Sequence, residues 1–449
     1  MKRLFFILLL VMNSLFSYAQ SEQKNDEWKF SGLTHILTQL DGKDFSNQTY
    51  PLSYTTMKLR LGVEKSVFDQ LYFRVDIQDS RVMGSEKGYL NNNKNLDLLQ
   101  GYIELKKLFD VPLSLQAGRF QMNYGTGRFI GEMFWHYYQS SFDGFRVRYA
   151  GESFSADYYH IVGLNSVFKN IKGTAADYYI KINPQQYPYP AYSDSSLGLY
   201  GAWLTKKFGK DHKVDLFSYL EYSWSRSDCN CPDLNRLTSG FNYIASLGSF
   251  SAAVEAAYQT GGQNFIPAGG TATDKVNKNI SAYTTNLKLG WKLDAAEINA
   301  GYEMISGTDP AETKKVNTFT FLLANAHQYF GLMDYFLDVQ LGTAGLGVND
   351  IFIGGTYKFI PNKLLGTLTA HQFNSNKTLL SMNNFGQEID LVLDYEFIKG
   401  VKIQGGGGFF LPSDLMKYLY RVKDPLDPQK FIERKDIAFW TYLMTVVKL

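Results

Sequence analysis

The side chains best suited to chemistry in this chain crowd into residues 54–150: Lys58, Arg60, Arg74, Asp76, Glu104, Lys106, Arg119, Arg128, Asp143, Arg146 and Arg148. A guanidinium stays charged in proteins and grips a carboxylate through two parallel N–H donors, so several Arg facing one passage favour anionic solutes. In 142–150, Phe145, Val147 and Tyr149 alternate with Arg146 and Arg148, which sends both guanidiniums to one face of a strand. Interleaved Asp76, Glu104 and Asp143 would pair with these cations and let an anion step from site to site instead of being trapped. The same mixture of signs also fits a filled interior laced only by salt bridges. Arg119 falls in phase with Leu115 and Ala117, so only a bulge or a position beyond a lipid band lets it meet water.

Catalytic and metal signals are weaker. His136 near Ser140, Ser141 and Asp143 is the one constellation from which a lipid- or glycan-cleaving site could be assembled. The six His include no pair at helical metal-site spacing. Tyr124-Gly-Thr-Gly-Arg128 lacks the Lys and the strand–loop–helix setting of a phosphate loop, and Gly405 to Gly408 reads as a kinked strand. Cys229 and Cys231 fit a strained disulfide, a weak metal site or isolated thiols equally. No cofactor is expected.

The elements that must position the charges are strands. Period-two alternation recurs along the chain: Leu71, Phe73, Val75 and Ile77 face opposite Tyr72, Arg74, Asp76 and Gln78, and Ile389, Leu391 and Leu393 face opposite Glu388, Asp390 and Asp394. Many segments reach the ~9–11 residues that a tilted membrane strand needs. The spacing predicts strands at 28–40, 54–67, 70–82, 96–108, 113–124, 142–150, 154–163, 197–208, 212–224, 236–248, 250–262, 280–293, 296–307, 350–360, 363–376, 386–398, 401–411 and 436–449. Tight connections alternate with long polar ones, the pattern of an antiparallel transmembrane β-barrel with short periplasmic turns and long extracellular loops. About eighteen strands would put both termini on the short-turn side and let the last strand close on the first.

Composition agrees. Among 449 residues, 45% are hydrophobic, 20% charged and 16% aromatic, and Lys+Arg 45 against Asp+Glu 43 gives a net charge of +2. Such balance gives no reason to expect nucleic acid as a partner. Aromatic residues such as Trp203, Trp224, Trp291, Tyr302 and Trp440 are expected in interfacial girdles. Lys2 and Arg3, an apolar run from Leu4 to Met12, and small Ser17 and Ala19 read as a secretory leader at 1–19, leaving 20–449 as the barrel and the bacterial outer membrane as its place.

Leu113-Ser-Leu-Gln-Ala-Gly-Arg119, Asn123-Tyr-Gly-Thr-Gly-Arg128 and Ser141-Phe-Asp-Gly-Phe-Arg-Val-Arg148 resemble blocks of the alginate-export family of outer-membrane channels. Tyr329-Phe-Gly-Leu-Met-Asp-Tyr-Phe336, Gly345-Leu-Gly-Val-Asn-Asp350 and Gly405-Gly-Gly-Gly-Phe-Phe-Leu-Pro412 are similar as well. The resemblance implies a monomeric eighteen-stranded barrel with lid-like loops whose Arg-rich constriction passes an acidic polysaccharide. By position in the matching blocks, Arg119, Arg128, Asp143, Arg146 and Arg148 would form that constriction. The leading expectation is therefore a passive porin-like channel for anionic saccharides such as alginate, seated in outer-membrane lipid and open to periplasmic export or uptake components. The alternatives are a less selective small-solute uptake porin of the same fold, a barrel enzyme acting on lipid or surface glycan, and a plugged structural barrel.

Overall fold

The structure, a computed structural model, describes residues 27–84, 95–162, 196–224, 234–265, 276–321, 323–424, 427 and 429–449. The expected leader and the Cys229/Cys231 pair fall outside these residues. Eighteen strands form the wall: β1 (Lys29–Gly42), β2 (Leu52–Val67), β3 (Leu71–Val82), β4 (Leu96–Leu105), β5 (Leu113–Phe120), β6 (Phe142–Ala150), β7 (Phe154–Val162), β8 (Ser196–Phe208), β9 (His212–Trp224), β10 (Leu234–Leu247), β11 (Phe250–Phe265), β12 (Val276–Lys292), β13 (Ala296–Ile305), β14 (Val348–Ile360), β15 (Leu364–Leu379), β16 (Met382–Ile398), β17 (Val401–Pro412) and β18 (Ala438–Lys448). Each pairs antiparallel with its sequence neighbours, and β1 closes on β18 from Leu33↔Lys448 to Gly42↔Phe439. Closure leaves no open edge, which hydrocarbon would not tolerate because an unpaired N–H or C=O there has no water to bind. No helix among the described residues is long and apolar enough to cross a membrane.

The burial pattern follows the pleat. Leu61, Ile77, Ile103, Leu289, Ile353 and Leu391 are exposed on the outer face, while their polar alternates, such as Asp76, Gln78, Gln259, Asp350 and Asp390, are buried inside. A soluble sandwich would show the reverse polarity; an apolar coat around a polar interior is the membrane arrangement.

The hairpin of β15 and β16 runs further than its alternation predicts. The strands extend to Leu379 and from Met382, joined by Leu380 and Ser381, both at positive φ (49° and 66°). Asn374–Lys377 is polar on both faces, so the periodic signal stops where the hairpin leaves the lipid band, although backbone pairing continues. Two consecutive left-handed residues match the twist of a two-residue hairpin.

Two girdle expectations are corrected. Trp203 and Trp440 are 4% and 0% exposed and point inward: Trp203 stacks on Phe217 at 4.5 Å and on Tyr124 at 5.1 Å, and Trp440 packs on Tyr442 at 4.8 Å. Trp291 and Tyr302 are on the outer face, at 48% and 39% exposure. The side chain of Trp224 is outside what is described. Aromatic rings go inward here because loops entering the barrel give them something apolar to pack against.

Candidate functional site

Two long connections fold back into the barrel, and together with the inner wall they make the site. The segment 121–141, between β5 and β6, crosses the interior. Tyr124 stacks between Tyr159 of β7 and Trp203 of β8, Phe129 meets Phe217 of β9 at 4.5 Å, and Trp135 packs edge-on against Tyr442 of β18 at 4.7 Å. Lys58 of β2, wholly buried, donates through Nζ to the carbonyls of Phe134 and His136, and Ser80 of β3 donates to that of Tyr137 at 2.8 Å. The second segment, 306–347, is tied to the first. Ile130 bridges Leu323, Asn325 N–H donates to the Gly127 carbonyl at 2.9 Å, and Trp135 stacks on His327 at 4.1 Å. Backbone pairing between the loops makes them one internal body.

Arg128 pins that body to the far wall. Its Nε donates to Glu255 of β11 at 2.8 Å, and its two terminal nitrogens fork onto Glu303 of β13 at 2.6 and 3.2 Å. Its guanidinium also lies 3.7 Å from the Tyr329 ring centre. Burial opposes the charge on Arg128, but Glu303 and Glu255 override it and hold its pKa above the ordinary guanidinium value. Such a cation is a structural clamp, with every edge of its fork engaged.

Arg60, Arg74, Asp76, Glu104, Arg146 and Arg148 lie on the inner parity of β2, β3, β4 and β6, one arc of the wall. Arg60 donates to the neutral Gln78 at 3.2 Å, and its guanidinium has no ion pair among the described residues. Arg74 is held by Asp76 at 3.0 Å and Glu64 at 3.1 Å, and Asp76 also accepts from Gln100 at 2.6 Å. Glu104 sits 3.9 Å from Lys106. Arg148 forks onto Asp157 of β7 at 2.8 and 2.6 Å, whereas Arg146 reaches Gln116, the Tyr124 hydroxyl at 3.4 Å and Asp157 only at 4.0 Å.

Arg119 and Asp143 are placed apart from this arc. They face each other across β5 and β6 on the parity of Ala117 and Phe145, joined at 2.8 Å, with Asp97 3.5 Å from Arg119. Both sit where the strands give way to the long loop, so charge on the outward parity meets water beyond the lipid band. His136, Ser140 and Asp143 do not assemble either: His136 Nδ1 lies 3.2 Å from the Tyr138 N–H, Ser140 Oγ turns to Met133, and Asp143 is on the outer face.

Several residues are not singled out as site candidates by the sequence, although alternation puts Glu388 and Asp390 on the polar face of their strand. Glu255, Glu303, Asp350, Glu388 and Asp390 are buried on the inner face of the wall opposite the Arg arc. Strand parity alone could have flagged them, but not the loops that they hold.

No curated protein matches this chain by sequence. Among solved structures, the chain is similar to Acinetobacter baumannii OccAB1 (TM-score 0.59, 10% identity, 96% of this chain and 98% of that one). It is also similar to the outer membrane protein OprD from Pseudomonas aeruginosa (0.56, 11%, 96% of each) and to Pseudomonas aeruginosa OccK1, or OpdK (0.54, 9%, 94% and 98%). At these identities the likeness carries the fold. The family model described as alginate export matches residues 41–418. With that match spanning most of the barrel, the chain belongs to the alginate export family and is a porin-like channel of the bacterial outer membrane.

Proposed function

We propose that this channel selects anionic saccharides, acidic polysaccharide such as alginate included, by passing them along the arc of Arg60, Arg74, Arg146 and Arg148 without catalysis. One observation carries the reading: four guanidiniums stand on the inner face of β2, β3 and β6, and Arg60 among them has only a neutral hydrogen-bond partner. An anion entering this arc can exchange Arg–carboxylate contacts one at a time, because Asp76 and Asp157 take each cation back when it leaves. Arg128, Arg119 and Asp143 are outside this role, the first as a clamp and the others on the outer face. The leader at 1–19 would deliver the chain across the inner membrane, and a monomer suffices for the passage.

A second reading, a less selective small-solute porin, is favoured by the pairing of Arg74 and Arg148 with wall carboxylates, which leaves less free positive charge. Reversal potentials of the purified protein in planar bilayers decide between them. A clear anion preference, together with block of the current by uronate oligomers, is expected. No anion preference, or the same preference after Arg60 and Arg146 are both changed to Gln, rejects the first reading.

A further inference from the structure

On the inner face of β16, Glu388 is wholly buried and Asp390, two residues on, is 3% exposed. One oxygen of each is held by the inward segment 306–347: Met333 N–H donates to Glu388 Oε1 at 2.8 Å and Leu332 N–H to Asp390 Oδ2 at 3.2 Å. Those two amides follow an elbow in which Phe330 and Gly331 both have positive φ (60° and 81°), a shape that turns successive N–H groups toward one anionic wall. The remaining oxygens, Glu388 Oε2 and Asp390 Oδ1, are buried and meet no donor.

Glu388 and Asp390 are within hydrogen-bonding reach of each other, so were both ionised, two like charges with bare oxygens would meet out of water. Neighbouring charges relieve this only in part, and on the Asp390 side. His371 of β15 places Nδ1 on Asp350 of β14 at 2.9 Å, and its Nε2 is 3.8 Å from Asp390. On the loop, Asp334 is occupied by His327 at 2.7 Å, and β17 places Gly408 opposite Asp390 and Phe410 opposite Glu388. Arg128 is committed to Glu255 and Glu303. A single proton satisfies both oxygens at once, donated by one carboxyl and accepted by the other.

We propose that Glu388 and Asp390 share one proton, and that this proton is the catch holding the 328–336 elbow against the barrel wall, so that its loss at alkaline pH frees the elbow and widens the passage. With the proton in place, both side chains satisfy the loop amides and each other. Without it, two like charges must separate or admit water, and either change undoes the amide contacts. Glu388→Gln keeps an oxygen for Met333 N–H and supplies a permanent N–H for Asp390, so it mimics the protonated pair at every pH.

Two measurements on the full chain test this, and only the second rests on the channel reading. In infrared difference spectra between neutral and alkaline pH, the wild type should lose a protonated-carboxyl stretch that is absent from both Glu388→Gln and Asp390→Asn. If neither substitution removes such a band, the shared proton is refuted, whether or not the protein conducts. In planar bilayers, unit conductance should step upward as the pH is raised, and Glu388→Gln should abolish the step while staying at the low level. A flat wild-type profile, or a step that survives in Glu388→Gln, overturns the catch. Absence of current at any pH would instead count against the channel, with the infrared band still judging the proton.

Discussion

Arg128 grips Glu303 with both terminal nitrogens of its guanidinium, at 2.6 and 3.2 Å, across 175 positions of sequence. Because the same side chain also holds Glu255, removing it leaves two buried carboxylates without a counter-ion. Arg128→Ala is expected to cost about 3–5 kcal/mol, the scale on which a buried pair responds to loss of one partner. Equilibrium unfolding in lipid checks it. Arg128→Lys should recover only part of the loss, since an ammonium cannot fork.

Charge selection should follow parity. Arg60→Gln and Arg146→Gln, on the inner face, are expected to lower anion preference in bilayer reversal potentials. Arg119→Gln, on the outward parity with Asp143, should leave the preference as it was.

Gly331 has φ +81°, and a methyl group there would collide with the Glu388 carboxylate. Gly331→Ala therefore meets backbone strain and a steric clash together. A loss of about 1–3 kcal/mol in loop docking is expected, read as faster proteolysis within 306–347 while the barrel itself resists.

On the lipid side, Leu391 is half exposed on the outer face of β16. Leu391→Arg should destabilise the barrel by about 2–4 kcal/mol if its position lies near the bilayer midplane. Reversible unfolding into denaturant from phospholipid vesicles measures it.

The barrel was legible in the sequence because its cause is local. Side chains on a strand alternate by geometry, so Leu71, Phe73, Val75 and Ile77 announce their face without reference to any partner. All eighteen expected strands appear, and the β15–β16 hairpin runs past the end of its alternation to Leu380 and Ser381. The site was less legible. Parity put Arg60, Arg74, Arg146 and Arg148 on the inner wall, but it could not show which cations were already engaged, because Arg128, Glu255 and Glu303 meet only through closure of the wall and re-entry of a loop.

Sequence by itself marked about eighteen strands and the two faces of each through a two-residue period, and strand length with alternating short and long connections pointed to closure. Tertiary structure alone decided that segments 121–141 and 306–347 turn inward, that Trp203 and Trp440 join an interior packed core, and that Arg128 is a clamp. Loops carry no period, and their course is set by buried charges that find one another only after the cylinder has closed.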